Sequence, residues 1–466
     1  MFIAVVLLVY PRLQHRGQNL FLLLASYYFY GYWDWRFTSL LFISTAVDFL
    51  VGQKLHSSGS QKQRKFLLLV SIMVNLSILG FFKYFNFFAD SALSLLTAIG
   101  FERHFPMLRV ILPIGISFYT FKTLSYTVDL YRSKMIPATS FVDYALFVSF
   151  FPQILAGPIE RASKLLSQVS NPRRVTREKI LTGMNLVLIG YFKKVAIADT
   201  LAPIVARVFD APDFASSGQL WTGIYAYTLQ IYGDFSGYTD IARGIARILG
   251  FDSMENFNAP YLSRNIGEFW RRWHISLSSW FRDYLYIPLG GNRSGRTRTY
   301  ANLIITMGLC GLWHGASWNF LIWGLLHGIY LAGYRLLAGD RKSGNPFPRS
   351  LSGWIAELIK ILLTFHLVAV AWIFFRSSDL SSALIYLKGL LKFQEVSGNA
   401  GAVAFAGCLI IFLDVTQTWS GSHFWLTDRQ GTRIVRYGVI QLLILSVVVA
   451  AIAQAHVVTP FIYFQF

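Results

Sequence analysis

Long apolar runs recur from one end of this chain to the other, and they restrict its possible folds more than any other feature. They fall at roughly 18–33, 36–52, 66–89, 107–122, 141–158, 180–205, 216–233, 301–334, 354–375, 400–415 and 434–454, each near the length with which a helix crosses about 30 Å of hydrocarbon. A backbone in lipid must satisfy its own hydrogen bonds. These runs are too long and too uniformly apolar for the alternating strands of an outer-membrane barrel. They predict an all-α integral membrane protein, a bundle of about eleven transmembrane helices. Composition agrees, since the 466 residues are 54% hydrophobic and only 14% charged, against about 25% charged in soluble chains.

No Pro/Ser-rich linker or compositional break divides the sequence, so it reads as a single integral domain over 1–466. No solenoid or inverted repeat and no low-complexity tract is visible. The opening MFIAVVLLVY lacks a basic n-region and a small-residue cleavage site before Pro11, which argues against a signal peptide and leaves a short first span or an abbreviated start.

The net charge of +19 would suggest nucleic acid in a soluble chain. Here the basic residues gather in loops beside spans, Lys54, Lys62, Arg64 and Lys65 in one, Arg161, Lys164, Arg173, Arg174, Arg177 and Lys179 in another. That is the positive-inside pattern, and it places both loops in the cytoplasm. No recognition module accompanies the charge, so nucleic acid is not an expected partner. Cys310 and Cys408 are the only cysteines, too few for a disulfide framework or a zinc ligand set.

The segment from Phe251 to Thr299 is neither a simple loop nor a simple span. On a helix, Ile266, Phe269, Trp270, Trp273, Leu277, Trp280, Phe281 and Tyr284 share an arc of about 120°, with Glu268, Arg271, Arg272, Arg282 and Asp283 elsewhere. Such a helix suits the membrane–water interface. Seven Arg against two acids between Arg264 and Arg298 favour the cytoplasmic side and an anionic ligand or lipid head group. His274 falls about 20° outside the apolar arc. It is either a base poised between grease and charge or an interfacial histidine without a chemical task. The following Gly290–Thr297 stretch nearly matches a phosphate-binding loop, but Arg296 stands in place of the lysine and a helix rather than a strand precedes it. A turn returning the chain to the membrane is the better account.

His314 lies within GLWHGASWNFLIWG, inside the run 301–334. Polar side chains at that depth face the bundle interior or water. A neutral imidazole beside a bound hydroxyl acts as a general base, a contribution of about 10²–10⁴ in rate; alternatively His314 only hydrogen-bonds a neighbouring helix. Trp313, Trp318 and Trp323 are candidate walls, and Ser317 and Asn319 candidates to orient a substrate. Gly311, Gly315 and Ala316 permit close approach of a helix or ligand. On an unbroken helix His327 points about 140° from His314, which excludes an i, i+4 metal pair. His366 reads as packing, His15, His56, His104 and His423 as loop residues, and His456 lies near a terminus. Gly233–Gly237 misses the GxSxG nucleophile elbow because Ser236 comes one position late. Asp234 and Asp240 read equally as polar packing or as a substrate path.

Five ordered blocks, ILPIGISFYTFKTLSYTVDLYR (111–132), FPQILAGPIER (151–161), YGDFSGYTDIARG (232–244), EFWRRWHISLSSWFRDYLYIPLGGNR (268–293) and GLWHGASWNFLIWG (311–324), resemble the membrane-bound O-acyltransferase family. In detail the chain is similar to the bacterial branch that includes the alginate O-acetylation membrane protein and the D-alanyl-transfer protein of teichoic acids. PLGGNR looks more like the polysaccharide-acetylating side of that branch. The amino terminus departs from relatives that have a fuller first span.

The resemblance implies about eleven membrane helices with shorter interfacial helices around a central funnel. It maps the family's catalytic histidine onto His314 and a second onto His274. It further implies no bound cofactor, an acetyl-CoA or other acyl thioester donor, and a multi-pass location in the bacterial cytoplasmic (inner) membrane. Expected partners are membrane lipids, an exported acetyltransferase of the SGNH-hydrolase-like type, and a polysaccharide or carrier acceptor. The expected product is an extracytoplasmic O-acetylated polysaccharide such as alginate. Arg271, Arg272, Arg282 and Asp283 then become candidates to meet donor phosphates or lipid head groups. The alternatives are D-alanyl or other acyl transfer to a cell-wall polymer, and a non-enzymatic transporter of an acylated intermediate.

Overall fold

Helix is the only regular structure among the described residues, as a chain that must satisfy its backbone within lipid requires. The computed structural model describes residues 1–100, 108–293, 295–338, 350–392, 399–420, 433–453 and 461. His104, Ser294, His423 and His456 lie outside them. Six described helices are long and apolar enough to cross a membrane: Trp35–Ser57, Gln61–Ala98, Arg177–Phe209, Trp318–Ala338, Leu351–Arg376 and Ala400–Thr418. Shorter apolar helices cover Phe2–Arg12, Leu380–Leu390 and Val439–Ala453.

The chain forms two compact units, Met1–Gly183 with Ile245–Met254, and Met184–Gly244 with Glu255–Phe466. In the first, Leu22, Leu41, Leu55, Tyr126, Tyr144, Phe147 and Phe251 belong to one buried core. Asp48 is fully buried there. Its carboxylate accepts from Ser71 Oγ at 2.5 Å and Asn75 Nδ2 at 2.8 Å, so a charge-bearing group inside a spanning helix is met by neighbouring helices rather than lipid. Lys54 lies in helix Thr38–Ser57 and Lys62, Arg64 and Lys65 in helix Gln61–Leu79 rather than in a loop; Arg64 donates to the carbonyls of Leu55 at 2.7 Å and Tyr131 at 2.9 Å. It thereby satisfies exposed helix C-termini.

Two expected spans of this unit are corrected. The run 107–122, whose first residue lies outside the described ones, is non-helical over 108–115 and helical from Ile116, in Ile116–Tyr131, because Pro113 cannot donate and Gly115 is left-handed at φ 80°. The run 141–158 is helical over Phe141–Ser149 alone and then turns, with Pro152 lacking the N–H that would continue it. His15 and His56 also lie in helices, His15–Gly31 and Thr38–Ser57, rather than in loops.

The second unit carries seven helices used below: α1 (Ser217–Ile248, within this unit up to Gly244), α2 (Ile266–Arg272), α3 (Ile275–Phe281), α4 (Arg296–His314), α5 (Trp318–Ala338), α6 (Leu351–Arg376) and α7 (Ala400–Ser420). The expected continuous span 301–334 is a helical hairpin instead. Gly315 adopts an extended conformation that ends α4, and Ser317 Oγ accepts the Phe320 N–H at 3.4 Å to begin α5. A Cβ on Gly311 would collide with the Phe320 carbonyl, and one on Gly324 with that of Met307. Glycine at both positions lets the two backbones touch.

Ion pairs fix α1 against the π-helical segment Phe192–Asp199. Lys193 Nζ meets Asp240 at 2.8 Å, and Lys194 Nζ meets Asp234 and Asp199, each at 2.8 Å. Arg243 approaches Asp240 at 3.5 Å. Asp234 and Asp240 are thus each held by a lysine, as polar packing expects. In the glycine-rich turn, Asn302 Nδ2 donates to the carbonyls of Leu289 and Gly291 at 3.2 and 3.1 Å, so the chain is stapled onto α4 as the turn reading expected.

Candidate active site

The amphipathic stretch 266–284 is not one helix. It breaks at His274, whose φ of 41° and ψ of 55° are left-handed, a conformation most non-glycine residues avoid. Segment 256–258 holds the break: Asn258 N–H donates to Arg272 O at 3.0 Å and Ile275 N–H to Asn256 O at 2.9 Å. The reversal carries His274 from the expected interfacial border to complete burial. Burial depresses its imidazole to about 3, so the ring is neutral at physiological pH.

His274 Nδ1 lies 3.1 Å from Asn256 Oδ1, which also accepts from the backbone N–H and the hydroxyl of Ser276 at 3.1 and 2.9 Å. On its faces and edges the ring meets Phe235 of α1 at 4.7 Å, Trp313 at 6.1 Å and His314 at 6.5 Å between centres.

His314 is the last residue of α4 and is 5% exposed. Its ring packs edge-on against Trp313 at 4.9 Å, Trp323 at 5.0 Å and Phe375 of α6 at 5.2 Å. Trp323 in turn lies 4.8 Å from His327 and stacks on Trp372 at 5.5 Å. The hairpin therefore brings His327 into the same aromatic cluster, contrary to the geometry of an unbroken helix. His327 Nδ1 accepts from Trp270 Nε1 at 3.3 Å. Among the described residues no group of His, Cys, Asp and Glu is arranged to hold a metal ion.

The other expected residues divide. Trp313 and Trp323 wall the histidines, whereas Trp318 is 56% exposed. Asn319 is buried and donates to Ser377 O at 2.9 Å, and Ser317 caps α5. Arg272 binds Glu268 at 2.7 Å; burial alone would raise the Glu268 carboxyl, but hydrogen bonds from Arg264 and the charge of Arg272 hold it below the usual carboxylate value. Arg271 is exposed, and Arg282 pairs with Asp283 at 2.8 Å while remaining 63% exposed. His366 is packed as expected: its Nδ1 donates to Leu362 O at 2.7 Å and its Nε2 accepts from Tyr225 at 3.0 Å. Sequence reasoning missed Asn256, Phe235, Trp372 and Phe375, none of which stands within a motif read as chemical for the histidines.

A pair of buried histidines enclosed by tryptophan and phenylalanine thus occupies the segments carrying the fourth and fifth motif blocks. The sequence matches the membrane-bound O-acyltransferase family over residues 62–367, a stretch that contains both rings. The chain belongs to the membrane-bound O-acyltransferase family.

Relatives of this acyltransferase lie in its bacterial branch. A probable alginate O-acetylase of Pseudomonas putida is 38% identical over 100% of this chain and 98% of its own length. One of Azotobacter vinelandii is 44% identical over 85% of this chain and 77% of its own. A peptidoglycan O-acetyltransferase of Helicobacter pylori is 39% identical over 85% and 79%.

The acyltransferase also holds an apolar cavity of about 1040 Å³ between α1, α6 and α7, lined by Trp221, Leu229, Leu362, Phe365 and Ile410 among others. Neither His274 nor His314 lines it. Its lining is mostly apolar, with the Asp414 carboxyl at one side.

Proposed function

We propose that this acyltransferase moves an acetyl group from a cytoplasmic thioester donor such as acetyl-CoA toward O-acetylation of an extracytoplasmic polysaccharide such as alginate. In this reading about eleven helices surround a funnel in the bacterial inner membrane. Donor and acceptor approach the histidines from opposite sides. An acceptor hydroxyl gives its proton to the imidazole pair, His314 foremost, as its oxygen attacks the thioester carbonyl. The carbon–sulfur bond breaks, and the leaving thiolate recovers the proton from the imidazolium. Arg271, and Arg282 on exchanging its partner Asp283, meet donor phosphates or lipid head groups. The immediate acceptor is a saccharide, a carrier, or an exported acetyltransferase of the SGNH-hydrolase-like type.

The observation that carries the reading is the 6.5 Å separation of the two imidazoles inside an aromatic enclosure, in a chain whose relatives are named for O-acetyl transfer. Purified protein in detergent, given radiolabelled acetyl-CoA and mannuronate oligosaccharide with the exported acetyltransferase, should transfer label without a membrane gradient. His314→Gln should lower that transfer by at least about 10²-fold while inserting normally. Full transfer by the variant would end the reading. Label passing to peptidoglycan fragments instead would move the acceptor to the class named for the Helicobacter relative.

A further inference from the structure

We infer that Asn256 is a positioning residue that decides which nitrogen of His274 carries the proton, leaving Nε2 as a bare acceptor. The argument starts from an atom that can only donate. The backbone N–H of Ser276 lies 3.1 Å from Asn256 Oδ1, so the amide presents its carbonyl, not its NH₂, at this point. The Ser276 hydroxyl donates to the same oxygen at 2.9 Å. His274 Nδ1, 3.1 Å from that oxygen and 3.4 Å from the Ser276 hydroxyl oxygen, is surrounded by acceptors and must bear the hydrogen. A neutral imidazole has only one N–H, which leaves the lone pair on Nε2.

Nε2 is buried and finds no hydrogen-bond partner among the described residues. An unpartnered acceptor at that depth is costly. It is also what a site holds ready for a proton that arrives with substrate. The inference rests on the reading of His274 and His314 as the proton-accepting pair, and within that pair it makes His274 the ring of fixed tautomer. When Nε2 takes a proton, directly from a hydroxyl or relayed from His314, the resulting imidazolium already points its Nδ1–H at a carbonyl dipole. Rings 6.5 Å apart are too distant for a direct N–H···N bond of about 3 Å, so any relay passes through one intervening oxygen.

A purely structural account competes, because the same amide oxygen caps the first turn of α3 through Ser276 N–H. Asn256→Asp separates the two: it keeps the capping oxygen and sets a negative charge beside Nδ1–H. The main-chain carbonyl of Asn256, which accepts from Ile275 N–H at 2.9 Å, is untouched by the exchange.

The full chain labelled with ¹⁵N-histidine, with the His274 signals assigned by their loss in His274→Gln, should show a pyrrole-like Nδ1 and a pyridine-like Nε2. The reverse pattern overturns the inference whether or not the protein is active. In thiol release from acetyl-CoA, Asn256→Asp should move the acid limb of kcat/KM up by about one pH unit or more. Asn256→Leu should lower kcat at least about tenfold with donor KM unchanged. An acid limb that stays in place in a well-folded Asn256→Asp protein reduces the amide to a helix cap and sinks the proposal. If the wild type releases no thiol at all, the proposed function fails, and the ¹⁵N pattern still judges the tautomer.

Discussion

The rings of His274 and His314 lie 6.5 Å apart at their centres, close enough for one oxygen atom to contact both and too far for them to bond each other. Two local breaks create that relationship. The left-handed turn at His274 pulls one ring inward, and the extended Gly315 ends α4 where the other ring begins its enclosure. Loss of either break would separate the pair without changing either side chain.

The burial of His274 makes stability depend on acid. Its imidazole is held at about 3 in the folded chain against about 6.5 when unfolded, so between those values the unfolded state binds more protons. This group has no influence on stability above about pH 6.5 and destabilises the fold progressively below it, by up to about 1.4 kcal/mol per pH unit. Thermal midpoints of wild type and His274→Gln in detergent, compared from about pH 7 to about pH 5, should show the shallower decline in the variant. Parallel declines would mean that the native ring is already protonated or solvated.

The hairpin of α4 and α5 should be intolerant at Gly311 and indifferent at Gly333. A Cβ at Gly311 meets backbone, whereas one at Gly333 meets nothing within 4 Å. Gly311→Ala is expected to cost about 1–3 kcal/mol through forced separation of the helices. Gly333→Ala should be neutral or gain up to about 1 kcal/mol from helix propensity. Chemical or thermal denaturation of the two variants decides this, and equal effects would show that the helices do not touch at Gly311.

The Lys193–Asp240 pair is buried at 2.8 Å, with both side chains under 10% exposed. Among the described residues, Lys193→Met leaves Asp240 with only the longer contact to Arg243 and should destabilise by up to about 3 kcal/mol. Adding Asp240→Asn should recover part of that loss. A double-mutant cycle on thermal stability measures the coupling; strictly additive losses would show that the two groups do not interact.

Much of this was legible before the structure. Apolar run length gave the all-helical membrane class, whereas residue type left His274 and His314 open between chemistry and packing, and only the family resemblance singled them out. Periodicity could not reveal the break between them, because the apolar positions of 266–284 keep a helical repeat across Trp273 and His274 while the backbone reverses there. Run length likewise merged α4 and α5, since Gly315, Ala316 and Ser317 are as compatible with a spanning helix as with a turn. Asn256 was hidden for a different reason. Its role comes from one oxygen meeting three donors that only the folded chain assembles. Phe375 closes the wall around His314 from the far end of α6, a long-range contact that no local pattern encodes.

The backbone angle at His274 carries a last implication. At φ 41° glycine or asparagine would sit comfortably and a histidine does not, so the fold tolerates local discomfort in order to keep an imidazole at that spot. Drift toward Asn or Gly there would relax the backbone and, on the proposed role of this ring, silence the protein together, and the Asn form lies a single codon position away from the histidine.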